Sequence, residues 1–370
     1  MVKILQVFGS LEMAGAESRM MEVYRHIDRE AFHFDFLVLT LGKQFFETEV
    51  NELGGKIFKL EMPSAQTIFR HISAIREILR TEKYDVVHAH TSYHCGIVMY
   101  AAWREKVSVR ISHARTTGSK RKGCFRIWAS IIGKWLVRLW STHCLAISQD
   151  AGIYLFGHKQ FEVLPNAIDL DKFQNVTAAE VNACRARYKM PANAFVIGQV
   201  GRFEPMKNHA FTLRWFQQFH QKYREAFLVL VGDGSQKKFI EELAEELQLH
   251  GAICFTGVVG KIEILLQTFD VLFFPSIYEG LGGVVLEAQA AGIPAVISAS
   301  LPKETDLGLG LVTRCSLNDS LESWNQAVKA SRTTMRPSCK EILRAFDMKK
   351  YSLRYELQRL QDIYNNKNKV

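Results

Sequence analysis

At 370 residues, the chain is long enough for two domains of ordinary size, because single hydrophobic cores rarely grow beyond about 250–300 residues. A hydrophobic content of 48% is typical of a globular protein, and 47 Lys and Arg against 38 Asp and Glu give a formal net charge of +9. The sequence contains no apolar run of about 18 residues, so no transmembrane helix is predicted. It also contains neither a long basic run nor a nucleic-acid-binding motif, so nucleic acid is not favoured as a partner.

The seven cysteines favour a reducing compartment. They are odd in number, scattered along the chain, and form no C-x-x-C pair. The first residues have the pattern of a strand followed by a glycine turn rather than that of a signal peptide. We therefore expect reduced thiols and a cytoplasmic protein.

Short apolar runs alternate with helical periodicity along the first half, which predicts parallel βαβ units. Helices are predicted between the strands, for example over residues 17–27 and 45–53. The predicted strands are residues 3–8, 35–40, 56–60, 86–89, 107–112, 144–148 and 163–164.

The same alternation restarts in the second half. Strands are predicted at residues 196–200, 228–231, 253–256, 271–274 and 295–298, with helices from about 208, 235, 261, 284 and 320. Two successive α/β sheets predict a ligand cleft between two domains. We expect Rossmann-like domains over residues 1–168 and 169–346, followed by an amphipathic C-terminal helix within residues 347–370.

Residues 275–288, PSIYEGLGGVVLEA, have the features of an anion site. They follow an apolar strand, turn through three glycines and enter a helix. Glycines let the backbone approach a ligand closely, and the amides that open a helix attract anions. Glu279 lies at the mouth of this loop and Glu287 about two turns into the helix, so a sugar nucleotide would find amides for its diphosphate and carboxylates for its hydroxyls.

Arg202 and Lys207 follow the strand at residues 196–200. The loop at the carboxyl end of a strand is where α/β sheets bind ligands. Two fixed cations there would stabilise the negative charge that grows on a leaving phosphate. From the residues alone, two ordinary surface cations are the default interpretation.

Glu279 and Glu287 have the spacing of an E-x7-E motif, and the stretch around them resembles that of retaining glycosyltransferases of family 4, which have the GT-B fold. Four other segments resemble family segments in the family's order: 163–173 (VLPNAIDLDKF), 196–207 (VIGQVGRFEPMK), 228–234 (LVLVGDG) and 255–257 (FTG). The resemblance as a whole covers roughly residues 2–310. The bacterial exopolysaccharide and capsule branch is the most similar. The resemblance implies two Rossmann-like domains facing across a cleft, with the last helix returning to the first domain.

The resemblance also implies roles for the second half of the chain, the donor domain. Glu287 would hold the ribose hydroxyls and Glu279 would contact the donor sugar. Arg202 and Lys207 would neutralise the leaving diphosphate. The nucleotide base would lie near Val258 and Val259, and the loop amides that would face the diphosphate and the sugar are those of Gly280, Leu281 and Gly282.

In the first half, the acceptor domain, the family places a histidine that reaches the donor sugar, and His113 is the candidate. Its role would be hydrogen bonding to a sugar hydroxyl or electrostatic help, with Arg115 assisting. The loop after the first strand would bring amides to the diphosphate and acceptor through Gly15, followed by Glu17. The family usually has two adjacent glycines there, and Ala14 replaces the first of them.

Two sequence patterns could suggest a metal site, but we expect no bound metal ion. Asp169-Leu170-Asp171 matches the Asp-x-Asp motif of other glycosyltransferases, but it lies in a segment that the family uses near its domain linker. His88, His90 and His94 lack an acidic or cysteine partner at metal-site spacing, so a structural role is favoured. Basic residues and helix amides can replace the ion, and no cofactor is expected.

Residues 120–140 combine Lys and Arg with Phe125, Trp128, Trp135 and Trp140. One interpretation is a helix at an anionic membrane surface, which would bring the protein to a lipid-linked acceptor and make it peripheral to the membrane. The other is a helix buried within the first domain, because a helix that is apolar nearly all round usually belongs to a core. The sequence does not separate the two.

These features and the resemblance predict an enzyme that transfers a sugar from a nucleoside diphosphate sugar to a saccharide acceptor. The resemblance implies that the anomeric configuration is retained. UDP is the expected nucleotide and GDP the rival. Two alternatives stay open: a nucleotide-sugar epimerase or hydrolase on the same architecture, and a non-catalytic module that binds the sugar nucleotide. Acceptor, linkage and oligomeric state are not encoded in a readable motif.

Overall fold

The computed structural model describes residues 1–13, 15–116 and 124–365. The chain divides into two compact units. The first contains residues 1–167 and the chain from Leu353 onward, and the second contains Ile168–Ser352. Residues 347–352, which we expected in the terminal helix, therefore belong to the second unit.

The described part of the first unit contains a parallel sheet of seven strands, as the alternating pattern predicted. Their spatial order is β3-β2-β1-β4-β5-β6-β7. The strands are β1 (Val2–Phe8), β2 (Phe32–Val38), β3 (Ile57–Lys59), β4 (Val86–Ala89), β5 (Val109–Ala114), β6 (His143–Ala146) and β7 (Glu162–Val163).

Helices connect these strands and cover the sheet, so β4 is buried along its whole length and β1 is buried except at Lys3. The helices are α1 (Gly15–His26), α2 (Glu47–Glu52), α3 (Ile68–Glu82), α4 (Cys95–Arg104), α5 (Cys124–Trp140), α6 (Gln149–Phe156) and, from the end of the chain, α15 (Leu353–Asn365). Leu360, Ile363 and Tyr364 of α15 lie in the same core cluster as Ile4 of β1. The last helix is thus an integral part of the first unit.

The second unit contains a six-stranded parallel sheet with the order β10-β9-β8-β11-β12-β13. Its strands are β8 (Phe195–Val200), β9 (Ala226–Val231), β10 (Ile253–Gly257), β11 (Val271–Phe274), β12 (Ala295–Ser298) and β13 (Val312–Cys315). The helices are α7 (Leu170–Gln174), α8 (Ala178–Arg187), α9 (His209–Lys222), α10 (Lys237–Glu246), α11 (Ile262–Leu266), α12 (Gly283–Ala290), α13 (Leu321–Ser331) and α14 (Cys339–Met348).

Three features differ from the sequence prediction. Strand β13 was not predicted, because Thr313 and Arg314 interrupt its apolar run. Helix α14 ends at Met348, so the terminal helix begins at Leu353 and not near residue 347. Strand β5 extends to Ala114, which places His113 within the strand rather than after it. The other predicted strands and the named helices are confirmed to within about three residues.

In both sheets the chain runs outward from the first strand in one direction and then restarts on its other side. That strand order, 3-2-1-4-5-6, is the Rossmann order. The topological switch lies between β1 and β4 in the first unit and between β8 and β11 in the second. Ligands of such sheets bind beyond the carboxyl ends of the strands at the switch.

Candidate functional site

The predicted donor residues of the second unit lie on both sides of its switch point. Strands β8 and β11 are direct neighbours, with Ile197 paired to Val271. Arg202 and Lys207 follow the carboxyl end of β8, and Glu279 follows that of β11. The fold therefore brings together two segments separated by about seventy residues at the edge where an α/β sheet binds its ligand.

Backbone hydrogen bonds connect the loop after β8 to the loop after β9. The backbone N–H of Phe203 donates to the carbonyl of Asp233, and the N–H of Gln236 donates to the carbonyl of Phe203. This packing requires Gly232, because a Cβ there would lie 2.1 Å from the carbonyl oxygen of Gly201. A glycine in the LVGDG segment thus holds the segment that carries Arg202.

Lys207 and Glu279 join the two loops directly. Nζ of Lys207 lies 2.5 Å from Oε1 of Glu279, and the hydroxyl of Ser276 donates to the same oxygen at 2.6 Å. Both charged side chains are mostly buried, at 20% and 14% exposed. The N–H of Ile277 donates to the carbonyl of Met206, which ties the two backbones together as well. A cation and a carboxylate are thereby fixed at the sheet edge.

Helix α12 begins where the sequence predicts anion-binding amides. Gly282 precedes α12 with φ of +76°, a conformation that favours glycine. No residue of α12, which is described throughout, is acidic in the first turn, so its N-terminal amides and positive dipole end carry no negative side chain of their own helix. The carbonyl of Leu281 accepts a hydrogen bond from Thr305 and holds the loop in place. Glu287 is half-buried one turn further along.

Val258 is exposed and lines a cavity of about 490 Å³ between the β10 turn and helix α8. Val259 and Lys261 line the same cavity, opposite Tyr188. Another cavity, of about 340 Å³, lies at the amino ends of the strands, beside Phe195 and Asp270. That edge is opposite to Arg202 and Glu279, so this second cavity is not part of the candidate site.

In the first unit, His113 lies in a buried cluster of histidines under the carboxyl end of the sheet. Nδ1 of His113 lies 3.2 Å from Nε2 of His88, and Nδ1 of His88 lies 2.9 Å from the hydroxyl of Tyr364. Burial, reinforced by the nearby charge of Arg115, holds the pKa of His88 and of His113 well below the usual value. Both rings are neutral at pH 7. Nε2 of His113 has no hydrogen-bond partner among the described residues.

Arg115 closes this cluster on one side. Its Nε donates to Nδ1 of His90 at 3.2 Å and its Nη1 donates to the side chain of Asn166 at 2.6 Å. Glu17 and the buried Glu356 lie within electrostatic range of the guanidinium. Burial raises the pKa of both carboxyls and the charge of Arg115 opposes that rise.

The predicted histidine triplet is not brought together as a group. His88 and His90 join His113, whereas His94 pairs with His71 through their Nε2 atoms at 3.0 Å. Asp169 caps helix α7 by accepting from the N–H of Asp171, as a local helix cap does. Gly15 begins helix α1, and Ala14, the departure from the family pattern, lies outside the described residues.

Several partners of these residues were not found from the sequence. Ser276 stands three residues before Glu279, and a Ser beside a loop carboxylate was a readable signal. Tyr364 and Glu356 could not be predicted as partners from the sequence. They reach the histidine cluster from helix α15, which lies about two hundred residues or more away in the chain. Gln6 lies inside a mostly apolar strand, and a buried polar residue of that kind requires a partner.

Helix α5 exposes an apolar face. Six side chains on it are at least half exposed: Ile127, Trp128, Ile131, Ile132, Trp135 and Leu139. The opposite face packs on α4, where a Cβ at Gly96 would lie 2.2 Å from the carbonyl oxygen of Gly133. A fully buried helix is therefore excluded for residues 127–139. Lys120, Arg121 and Lys122 lie outside the described residues.

Comparison with known proteins agrees with this geometry. The profile described as Glycosyltransferase Family 4 matches residues 13–172, and the profile described as Glycosyl transferases group 1 matches residues 182–305. The putative glycosyltransferase EpsF of Bacillus subtilis is 32% identical over 98% of this chain and 96% of its own length. The chain therefore belongs to glycosyltransferase family 4 and is a glycosyltransferase with the GT-B fold.

Other relatives are more distant. The capsular polysaccharide biosynthesis glycosyltransferase CapH of Staphylococcus aureus is 26% identical over 83% of this chain and 84% of its own. The UDP-Gal:alpha-D-GlcNAc-diphosphoundecaprenol alpha-1,3-galactosyltransferase of Escherichia coli is 27% identical over 63% of this chain and 64% of its own. Among solved structures, Anabaena HepE in complex with UDP superposes with a TM-score of 0.78 at 17% identity, over 98% of this chain and 99% of its own.

No helix among the described residues combines the length and the apolar character needed to cross a membrane.

Proposed function

We propose that this glycosyltransferase moves a sugar, with retention of configuration, from a UDP-sugar to a lipid-linked saccharide in exopolysaccharide or capsule synthesis. The observation that carries the proposal is the meeting of Arg202, Lys207 and Glu279 with the glycine turn before α12 at one switch point. Such a point is where a doubly wound sheet binds a nucleotide.

The second unit binds the donor in this proposal. Arg202, Lys207 and the amides of Gly280, Leu281 and Gly282 hold the diphosphate, since cations and a helix N-terminus both favour it. Glu287 accepts hydrogen bonds from the ribose hydroxyls. The base lies against Val258, at the cavity beside the β10 turn.

The first unit is assigned to the acceptor. His113 hydrogen-bonds the donor sugar, and Arg115, Gly15 and Glu17 serve the acceptor side. His113 remains neutral at pH 7 because burial lowers its pKa well below the usual value, so hydrogen bonding, and not positive charge, is its contribution.

The reaction needs no enzyme nucleophile. The acceptor hydroxyl attacks the anomeric carbon on the face that the diphosphate is leaving, the bond from carbon to phosphate oxygen breaks, and the acceptor proton passes to the leaving phosphate. Lys207 and Arg202 stabilise the charge that grows on that phosphate, which is stabilisation specific to the transition state. Glu279 holds Lys207 in place and contacts the sugar.

The relatives support the nucleotide and the acceptor class. The printed name of the E. coli relative specifies UDP-galactose and a diphosphoundecaprenol acceptor, the name of CapH specifies capsular polysaccharide, and HepE was crystallised with UDP. GDP is the alternative nucleotide, because backbone contacts at the base leave little sequence code.

A lipid-linked acceptor requires the enzyme to meet a membrane. We assign this role to the exposed apolar face of α5, with Lys134 and Arg138 on the same helix to attract anionic headgroups at the cytoplasmic face. The protein is then peripheral.

Calorimetric titration with UDP and GDP, without and with Mg²⁺, tests the donor site. We expect micromolar UDP binding without metal that weakens at least tenfold in Glu287→Ala and is unchanged in Glu322→Ala, a surface glutamate of the same unit. Binding of GDP alone would redirect the donor, and binding of neither nucleotide would remove the main support for the proposal.

Product analysis separates the remaining alternatives. Conversion of the UDP-sugar to another sugar nucleotide or to free sugar without any acceptor would indicate an epimerase or hydrolase. Full cellular polysaccharide production by Glu279→Ala would indicate a non-catalytic binding module.

A further inference from the structure

An unbroken chain of hydrogen bonds connects Arg115 to His113 inside the first unit. It passes through His90, Gln6, Tyr364 and His88, and every step measures between 2.9 and 3.2 Å. Gln6, His88, His90, His113 and Tyr364 are all buried. Water therefore does not compete for these bonds, and each donor must face an acceptor.

Arg115 fixes the direction of the chain, because a guanidinium can only donate. Its Nε–H donates to Nδ1 of His90, so the neutral His90 ring carries its hydrogen on Nε2. That N–H donates to Oε1 of Gln6, which leaves the amide nitrogen of Gln6 to donate to the hydroxyl oxygen of Tyr364. The opposite orientation of Gln6 would place two donors against each other.

The second half of the chain follows from the first. Since the oxygen of Tyr364 accepts from Gln6, its own hydrogen donates to Nδ1 of His88 at 2.9 Å. The neutral His88 ring then carries its hydrogen on Nε2 and donates to Nδ1 of His113 at 3.2 Å. His113 is left with one position for its hydrogen, Nε2, the atom without a hydrogen-bond partner among the described residues.

We propose that Arg115 and Tyr364 are positioning residues that lock His113 as the Nε2–H tautomer, a hydrogen-bond donor toward the donor sugar. The proposal rests on the proposed function for the sugar contact alone. In this structure Nε2 is buried, and the backbone of Leu164 lies beside the His113 ring. A His113 locked in this way donates to an oxygen and does not take a proton at Nε2.

The chain orients the ring but supplies no proton, because Arg115 does not give up its own. It also argues against a metal ion among His88, His90 and His113, whose nearest nitrogens lie within 4.8 Å of one another. Apart from Nε2 of His113, those nitrogens already form hydrogen bonds: His90 with Arg115 and Gln6, and His88 with Tyr364 and His113. The positive charge of Arg115 beside these rings also opposes the binding of a metal cation.

NMR of protein labelled with ¹⁵N-histidine reads the tautomer directly, because protonated and bare ring nitrogens resonate far apart. The His113 signals are assigned from their loss in His113→Gln. In the wild type we expect a protonated Nε2 and a bare Nδ1, unchanged between about pH 6 and pH 8. Tyr364→Phe keeps the ring packing but breaks the chain, so we expect the single tautomer to be lost and the two His113 signals to move toward each other.

Tyr24→Phe is the matched control, because Tyr24 is also buried in the same unit, and among the described residues its hydroxyl donates only to the backbone carbonyls of Phe34 and Leu53. It should leave the His113 signals in place. Gln6→Met breaks the chain one step earlier and serves if Tyr364→Phe does not fold. A bare Nε2 in the wild type, or an unchanged His113 tautomer in the chain variants, overturns the proposal.

The tautomer measurement needs no ligand, so its outcome is independent of the donor assignment. A wild type that fails to bind UDP but shows the Nε2–H tautomer contradicts the proposed function and not the chain. A wild type that binds UDP while Tyr364→Phe retains a single His113 tautomer contradicts the chain and not the proposed function.

Discussion

Lys207 is held by Glu279 at 2.5 Å, in a loop where both side chains are largely removed from solvent. If Lys207 stabilises the leaving phosphate, Lys207→Met removes charge stabilisation in the transition state, and losses of that kind reduce kcat roughly 100- to 1,000-fold. We expect such a loss in steady-state assays of UDP release, once the donor sugar is known from the nucleotide titration.

Lys222→Met is the control for that variant. Lys222 also forms an ion pair with a glutamate, Glu322, at 3.0 Å in the same unit, but both side chains are more than half exposed. Exposed pairs contribute about 0–1 kcal/mol, so its activity and stability should match the wild type. A Lys207→Met enzyme with more than a third of wild-type activity would contradict the assigned role.

The meeting of Arg202, Lys207 and Glu279 at one edge could be predicted, because each lies a few positions after an apolar strand and the strand ends of a parallel sheet share one edge. The environment of His113 could not. Its orientation depends on Tyr364 and Gln6, and a contact across more than 250 residues leaves no local pattern in the chain. Buried polar residues within apolar strands were the one available sign that such a network exists.

At the scale of single elements, the start of helix α12 depends on the glycine that precedes it, Gly282. Gly282 has φ of +76°, and a Cβ there would lie 3.2 Å from Cδ2 of Leu301. Because the left-handed conformation costs a non-glycine residue about 1–2 kcal/mol, Gly282→Ala should lower the free energy of unfolding by at least that amount. The glycine turn before α12 would shift in this variant, so the affinity for UDP should also fall.

Gly283→Ala provides the comparison one residue along. It lies inside the helix, and an added Cβ meets nothing within 4 Å. Alanine is favoured over glycine in a helix by up to about 1 kcal/mol, so we expect equal or greater stability by urea denaturation. Equal losses in both variants would mean that the loop tolerates no change and that φ is not the cause.

Helix α5 is the element for which the sequence alone left two interpretations. Replacing Trp128 and Trp135 together by alanine removes the two largest side chains of its exposed face. Since burial of one large apolar side chain contributes about 1.5–3 kcal/mol, binding to vesicles of mixed anionic and neutral lipid should weaken at least tenfold in co-sedimentation. Activity on a soluble acceptor analogue should be retained.

Phe69→Ala is the matched control for the vesicle experiment, because Phe69 is an aromatic residue of α3 that is 80% exposed and lies outside the α5 face. It should bind vesicles like the wild type. Equal binding by the α5 double variant would show that this face does not meet the membrane.

The element boundaries show what a sequence pattern can and cannot give. Central strands such as β4 and β11 were predicted to the residue, since strands buried on both faces are continuous apolar runs. The edge strand β13 is half-exposed and mixed in composition, so it left no such run. Ser338 and Glu341 form a capping box that marks the start of α14, a signal that the sequence prediction did not use.

At the scale of the whole molecule, buried histidines are distributed unequally between the two units. Among the described residues, burial lowers the pKa of six histidines in the first unit but of only one in the second. That one is His209, whose pKa falls to about 4. The six are His71, His88, His90, His94, His113 and His143. Acid should therefore affect the two units differently.

The sign follows from which state binds the proton. Below about pH 6.5 the unfolded chain protonates its histidines while the folded unit keeps them neutral, so stability falls as pH falls, down to the folded pKa, about 3 for His94. Each such histidine contributes up to about 1.4 kcal/mol per pH unit. Glu17 and Glu356, with raised pKa values, act in the opposite direction above about pH 4.5, but they are fewer.

We expect the first unit to lose stability before the second when the pH is lowered from about 7 to 5.5. Hydrogen exchange followed by mass spectrometry, corrected for the intrinsic pH dependence of exchange, measures each unit within the same intact protein. His94→Gln should reduce the pH slope of the first unit, whereas His158→Gln, at an exposed position of that unit, should not. Earlier acid opening of the second unit would show that the six histidines of the first unit do not set the acid sensitivity of this enzyme.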